Sequence, residues 1–279
     1  MLAVTGATGQ LGRLVIQSLK NKGAGSETVA LVRSPGKASD LGVEVRAFDY
    51  DEPETLAPAL EGIETLLLIS ASEVGKRVRQ HHNVIEAAKA AGIKRIVYTS
   101  LLNADTSPIS LAEEHRQTEA ALKASGIAYT ILRNSWYTEN YTGNLSGAIA
   151  NGAFVGSAGD GRIATASRAD LAEAAASAAL GSGHDNRTYE LAGVPFTLDE
   201  LAAEVSRQTG KPVRYDNLPQ PQYADLLQSF GLPKPVAEMI SKADAHAADG
   251  ALFDDSGVME KLLGRPATSL ADAVKIALA

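Results

Sequence analysis

Leu2-Ala3-Val4-Thr5-Gly6-Ala7-Thr8-Gly9-Gln10-Leu11-Gly12 decides how the rest of the chain is read. The apolar run Leu2 to Val4 reads as a short buried strand, and Leu11, Leu14, Val15 and Leu19 recur at the spacing of one helix face. A strand, a glycine turn and a helix start therefore follow one another, the context in which a glycine pattern carries a mechanism. Gly6 takes backbone angles closed to other residues, Gly9 lets a diphosphate approach the main chain, and Gly12 lets the helix lie close on the strand. With Ala7, Thr8, Gln10 and Leu11 they form the candidate phosphate site, where the helix N-terminus offers free N–H groups to negative charge. The spacing is G-x-x-G-x-x-G, which differs from the G-x-G-x-x-G of most dehydrogenases.

The next apolar run, Thr28 to Val32, ends at Arg33, 21 residues beyond Gly12. In a dinucleotide-binding unit an acid at about that distance, roughly 20 residues on, binds the ribose 2′-hydroxyl of NAD. A guanidinium there makes charge-assisted bonds to a 2′-phosphate instead, so NADPH is expected over NADH, with Ser34 and Lys37 as helpers. The alternative is a solvated surface arginine. Val43 to Phe48 alternates as a third strand, and Asp49 after it either lies beside the adenine or stops the strand. Thr65 to Ile69 reads as a fully buried parallel strand, and Ser70 and Ser72 beyond it are candidates for hydroxyl contacts to the cofactor or for a helix cap.

Repeated strand and helix units continue: a helix from Val78 to Ala91, a strand from Lys94 to Ser100, a helix from Glu113 to Ala124 and a strand from Ile127 to Leu132. That alternation implies an α/β class, a Rossmann-like doubly wound parallel sheet. His81 and His82 are adjacent, so they point to different faces and cannot share a metal as an i, i+4 pair does; they read as helix surface. No metal site is expected.

A chain of 279 residues with net charge −7 and no basic run lacks the electrostatic footprint of a nucleic-acid binder. It has no cysteine, hence neither disulfide nor thiolate chemistry. With neither signal peptide nor membrane span read in it, a cytoplasmic protein is expected. The organisation expected is an NADP-binding Rossmann-like domain over 1–135, to which the segment at about 163–190 returns. Residues 136–279 then form mainly a small C-terminal α/β substrate-binding lobe.

Four stretches together resemble the NmrA-like atypical short-chain dehydrogenases and reductases: Gly6 to Gly12, Val32-Arg33, Tyr98-Thr99-Ser100 and Leu132-Arg133-Asn134-Ser135-Trp136-Tyr137. Within them the chain is most similar to the bacterial NADPH-dependent quinone oxidoreductase type, with triphenylmethane dye reductases as nearer relatives than the sugar epimerases. The resemblance covers the full length. It implies an NADPH-dependent reductase acting on a quinone or similar planar acceptor; a dye reductase, or a nucleotide-sensing regulator without turnover, is the other reading. A homodimer is left open.

One departure from the wider short-chain dehydrogenase pattern is chemical. Those enzymes generally use a Tyr-x-x-x-Lys pair in which the lysine lowers the tyrosine pKa, and no such pair occurs here. Where the pair belongs, the chain reads His115-Arg116-Gln117-Thr118-Glu119. A quinone or cationic dye accepts hydride without prior protonation, and the hydroquinone anion later takes its proton from water, so positioning matters more than acid catalysis. No catalytic residue is assigned; His115 is the one candidate proton donor, against a plain helix-surface histidine.

Asn134 to Tyr141 follows the sixth strand and holds the single tryptophan and two of the eight tyrosines. Trp136 and Tyr137 are expected against the substrate, and Tyr137 and Asn140 against the cofactor, unless the rings serve as core. Asp170 reads as a helix N-cap, and Arg168 either reaches the cofactor or pairs with an acid. Thr197 to Glu200 has the form of a capping box. Pro219 to Leu263 reads as helix broken at Pro233 and Pro235, with Leu226, Leu227, Phe230 and Leu232 lining the site or packing the lobe.

Overall fold

The computed structural model describes residues 1–279. Its first half runs β1 (Leu2–Thr5), α1 (Gln10–Asn21), β2 (Thr28–Val32), β3 (Glu44–Ala47), α2 (Pro53–Ala59), β4 (Thr65–Leu68), α3 (Arg77–Ala90), β5 (Arg95–Leu101), α4 (Ala112–Ala124) and β6 (Ala128–Asn134). β1 and β2 are buried at every position, as strands covered on both faces must be. The second half runs α5 (Glu139–Thr142), α6 (Leu145–Asn151), β7 (Ala153–Gly156), α7 (Arg168–Leu180), β8 (Arg187–Leu191), α8 (Leu198–Thr209), β9 (Arg214–Asn217), α9 (Gln220–Ser229), α10 (Lys234–Ala248), α11 (Val258–Leu263) and α12 (Leu270–Leu278).

Seven parallel strands form one sheet in the order β3-β2-β1-β4-β5-β6-β8. This is the Rossmann-like α/β sheet expected. One face is covered by α1 and α7, where Val15, Ile16 and Leu19 meet Ala172, Ala175, Ala176 and Ala179. The alanine side chains of α7 let the two helices approach closely. α2, α3 and α4 cover the other face, with Leu56, Val84, Ile85 and Leu122 against Leu66, Leu68 and Ile96. β7 pairs with β9 in a separate two-stranded parallel sheet, and Leu201, Val205, Val213, Ala243 and Ala247 form the core of that lobe.

Several local expectations need correction. Ser167, not Asp170, caps α7: its hydroxyl accepts from the Asp170 N–H at 3.0 Å. The Asp170 carboxylate is already taken by the Thr268 N–H and by Arg265, each at 2.8 Å, so it anchors the C-terminal segment. The break in the C-terminal helices falls at Phe230 to Pro233, and Pro233 and Pro235 sit at the start of α10, where a missing N–H has no helical partner to lose. A second break separates α10 from α11, and α12 had no counterpart in the reading of the sequence. The capping box of α8 is present, with Thr197 and Glu200 exchanging bonds of 3.1 and 2.8 Å. No helix is long and apolar enough to cross a membrane.

Candidate functional site

The strand order reverses between β1 and β4, and a cleft of about 540 Å³ opens there beyond the carboxyl ends of β1, β2 and β4. Open α/β sheets hold ligands at such a switch point.

One wall is backbone. Gly6 has φ +59°, and its carbonyl accepts from the Gly9 N–H at 2.9 Å to close the turn. A Cβ on Gly12 would stand 2.2 Å from the Gly6 oxygen and 2.7 Å from Ala7 Cα, so only glycine lets α1 start so close to the turn. Gly6, Thr8, Gly9, Gln10, Leu11 and Gly12 line the cleft, whereas Ala7 is buried in the core beneath it. α1 has neither a side-chain cap nor an acid in its first turn. Its first N–H groups and the positive end of its dipole therefore face the cleft unneutralised.

The second wall is the end of β2. Arg33, Ser34 and Lys37 line it. The Arg33 side chain is 69% exposed, and its one ion-pair partner is Glu73, at 3.4 Å. Asp49 lines the cleft and also closes the turn after β3, its Oδ1 accepting from the Asp51 N–H at 3.0 Å.

The third wall is the strap Ser70 to Lys76 that follows β4. Ser70, Ala71, Ser72 and Glu73 line the cleft, and neither serine caps α3, which begins after Lys76. Facing them are Tyr137 and Arg168. The Arg168 guanidinium carbon stands 4.1 Å from the centre of the Tyr137 ring, its head pairs with Glu139 at 3.3 Å, and it donates to Asn140 Oδ1 at 3.2 Å. Arg168 thus reaches the cleft and pairs with an acid at once. Asn140 touches the cleft only through Arg168 and does not line it.

Two candidates lie elsewhere. Trp136 is half-buried against the apolar cluster of the lobe, the core-packing alternative, and does not line the cleft. His115 is buried too, with Nδ1 2.7 Å from the Tyr98 hydroxyl, and is also absent from the cleft wall. Burial first, and then the Arg77 charge, depress its pKa to about 3. It is therefore neither a surface histidine nor placed to hand a proton to anything in the cleft. Of the lobe's apolar candidates, Phe230 is exposed and does not line this cleft.

His81 overturns its surface reading. It is fully buried, its pKa pushed down to about 3 by burial, then by His115 and Arg77, while His82 is exposed. Gln80, Tyr50 and Glu73 were not singled out in the sequence and all line the cleft. Gln80 Nε2 donates to Asp51 at 3.1 Å, and its buried Oε1 has no partner. The available signal was phase: Arg77, Gln80 and His81 fall at i, i+3 and i+4, one face of α3, and all three are buried.

Residues 6–180 match the pattern of the NAD(P)H-binding family. Quinone oxidoreductase 2 of Escherichia coli strain K12 is 53% identical over 278 residues, covering 98% of this chain and 97% of that protein. The crystal structure of the E. coli NADPH-dependent quinone oxidoreductase complexed with NADPH superposes with a TM-score of 0.97 at 52% identity, covering 100% of both chains. The Citrobacter sp. triphenylmethane reductase complexed with NADP(H) superposes with a TM-score of 0.96 at 40% identity, covering 99% of this chain and 100% of that one.

Proposed function

Because this chain belongs to the NAD(P)H-binding family, we propose that it is an NADPH-dependent oxidoreductase that passes hydride directly to an electron-poor, quinone-type acceptor. The observation that carries the reading is the pairing of a bare helix N-terminus with the Arg33, Ser34 and Lys37 wall in one cleft, in a chain 53% identical to a quinone oxidoreductase. The donor set fits NADPH: an uncapped α1 with no first-turn acid suits a diphosphate, and an exposed guanidinium suits a further phosphate. When bound, NADPH supplies the hydride.

The protein's own part is positioning. The turn Gly6 to Leu11 holds the diphosphate, Arg33 with Ser34 and Lys37 selects the phosphorylated ribose, and Ser70, Ser72, Tyr137 and Arg168 orient the rest. Asn140 acts by holding Arg168. The walls keep the two reactants at a fixed approach, which suffices for an acceptor that needs no protonation before reduction. With no Tyr-x-x-x-Lys pair in the chain and His115 outside the cleft wall, the hydroquinone oxygen takes its proton from water.

The test mixes purified protein and NADPH with a panel of benzoquinones, naphthoquinones and a triphenylmethane dye, and follows nicotinamide absorbance. Acceptor-dependent consumption supports the reading, and the panel ranks quinone against dye. Tight nucleotide binding with no consumption for any acceptor overturns it in favour of a nucleotide sensor.

A further inference from the structure

The strap Ser70 to Lys76 carries no helix or strand, yet buried side chains grip its backbone. The Ser70 N–H donates to Thr99 Oγ1 at 2.9 Å. The Ala71 N–H donates to His81 Nε2 at 2.9 Å, and the Ala71 carbonyl accepts from Arg77 Nε at 2.7 Å. Arg77 donates in turn to Glu114 at 2.9 Å, and the other oxygen of Glu114 accepts from the Gly75 N–H at 3.0 Å. Both polar groups of one residue, set between two cleft serines, are thus held by two side chains one helical turn apart on α3.

The hydrogen bonds fix the state of the imidazole. Nε2 accepts from a backbone amide and so carries no proton, which places the proton on Nδ1. Nδ1 lies 3.0 Å from Thr118 Oγ1, and the Thr118 hydroxyl donates to the Glu114 carbonyl at 2.9 Å, leaving its oxygen free to accept. A single directed chain runs from Ala71 through His81 and Thr118 to the α4 backbone. Tyr50 and Tyr98 flank the ring edge-to-face at 6.2 and 5.4 Å between centroids and prevent it from turning. Ala71 itself is only half-buried, so solvent could satisfy its N–H. A fully buried imidazole committed to that group sets where the strap lies, beyond merely satisfying a donor.

From this geometry we infer that His81 is a positioning residue: it fixes Ala71, and through it Ser70 and Ser72, in the place a bound nicotinamide dinucleotide requires. The inference rests on the cofactor reading above. It separates His81 from His115, which shares its burial but holds no strap atom.

The test uses His81→Gln, whose amide oxygen reaches the Nε2 position and can still accept from Ala71, and His81→Asn, whose shorter amide reaches only the Nδ1 position. NADP+ affinity is measured by calorimetry and unfolding is followed without nucleotide. The expected result is a dissociation constant within about threefold of wild type for His81→Gln and raised roughly tenfold for His81→Asn, on the scale of one lost hydrogen bond. Both variants should unfold at similar temperatures, with faster exchange of the Ala71 amide in His81→Asn alone. Equal affinities for the two variants overturn the inference and leave His81 a packing residue. In wild-type protein, a through-bond nitrogen coupling between the Ala71 amide and Nε2 tests the clasp without any substitution, and its absence also overturns the proposal. Failure of wild type to bind NADP+ at all sinks the cofactor reading and, with it, the positioning role, whereas the coupling still reports whether the clasp exists.

Discussion

The turn between β1 and α1 and the strap after β4 both line the cleft and are held by opposite means. The turn is fixed by the absence of side chains: Gly6 at φ +59°, and Gly12 with no room for a Cβ beside the Gly6 carbonyl. The strap is fixed by side chains reaching in from α3, α4 and β5: His81, Arg77, Glu114 and Thr99. The turn is therefore a local device, complete within a dozen residues. The strap is assembled from three elements and depends on the protonation state of one ring. The two walls should fail under different insults.

Gly12→Ala is the severest test of the turn. The new methyl would stand 2.2 Å from a carbonyl oxygen and 2.7 Å from a backbone carbon, and neither can rotate away. Moving α1 off β1 loosens its packing on α7, so a loss of about 3 kcal/mol is expected, at the upper end for overpacking, with loss of nucleotide binding. A urea midpoint within error of wild type would break the account of that wall. Gly9→Ala should be milder, since Gly9 has an ordinary φ of −73° and its added Cβ meets only the Gly6 oxygen, at 3.2 Å.

The strap side should answer to pH instead. His81 and His115 have pKa values near 3 in the folded chain against 6.5 when exposed, burial being the first cause for both. Between these values the unfolded chain binds protons that the folded chain refuses. Stability is therefore fully present above about pH 6.5 and falls as pH is lowered through the window. Proton uptake on unfolding should approach two more than that of a chain lacking both rings. Urea midpoints from pH 7 down to 5, above the range of ordinary carboxylates, read this out, and His115→Phe should remove part of the slope. A flat profile would show that the rings are hydrated.

The same contrast explains what the sequence disclosed. Gly6 to Gly12, Thr28 to Val32 and Arg33 act within short segments or at a fixed distance from them, so spacing alone located the turn and the arginine. Arg168 and Tyr137 could be named because they follow strand ends or helix starts, but their stacking joins residues 31 apart and no local rule contains it. His81 was misjudged because adjacency to His82 dominated its reading, while burial is set by the packing of α3 on α4 and the sheet. Trp136 was left between two readings for a related reason: an aromatic residue after a strand faces either the ligand or the lobe core, and the folding of the lobe sets which. Asp170 lost the cap to Ser167 because its carboxylate serves Thr268 and Arg265, nearly a hundred residues later.

Arg33→Asp sharpens the comparison at the turn's neighbour. Replacing a guanidinium that is 69% exposed leaves the fold intact but removes a charge-assisted contact and adds repulsion to a 2′-phosphate. The ratio of kcat/KM for NADPH over NADH should fall by about 10- to 100-fold. Arg168→Ala should lower affinity for both nucleotides without changing that ratio, since its guanidinium is committed to Tyr137, Glu139 and Asn140. An unchanged ratio in Arg33→Asp would remove Arg33 from the site.

Glu73 ties the strap to the Arg33 wall, and the smallest effect is expected there. It projects from the strap, pairs with Lys76 at 2.8 Å and with Arg33 at 3.4 Å, and Lys76 and then burial set its carboxyl pKa, the former prevailing to lower it. Its charge competes with a 2′-phosphate for Arg33 and repels that phosphate directly. Glu73→Gln keeps the shape and deletes the competition, so preference for NADPH should rise by about two- to fivefold, the scale of an exposed ion pair. The gain should fade as salt is raised, because screening weakens the repulsion in wild type as well. A fall in NADPH preference would mean that Glu73 holds Arg33 in its binding pose, and the strap would then govern the Arg33 wall as well as its own.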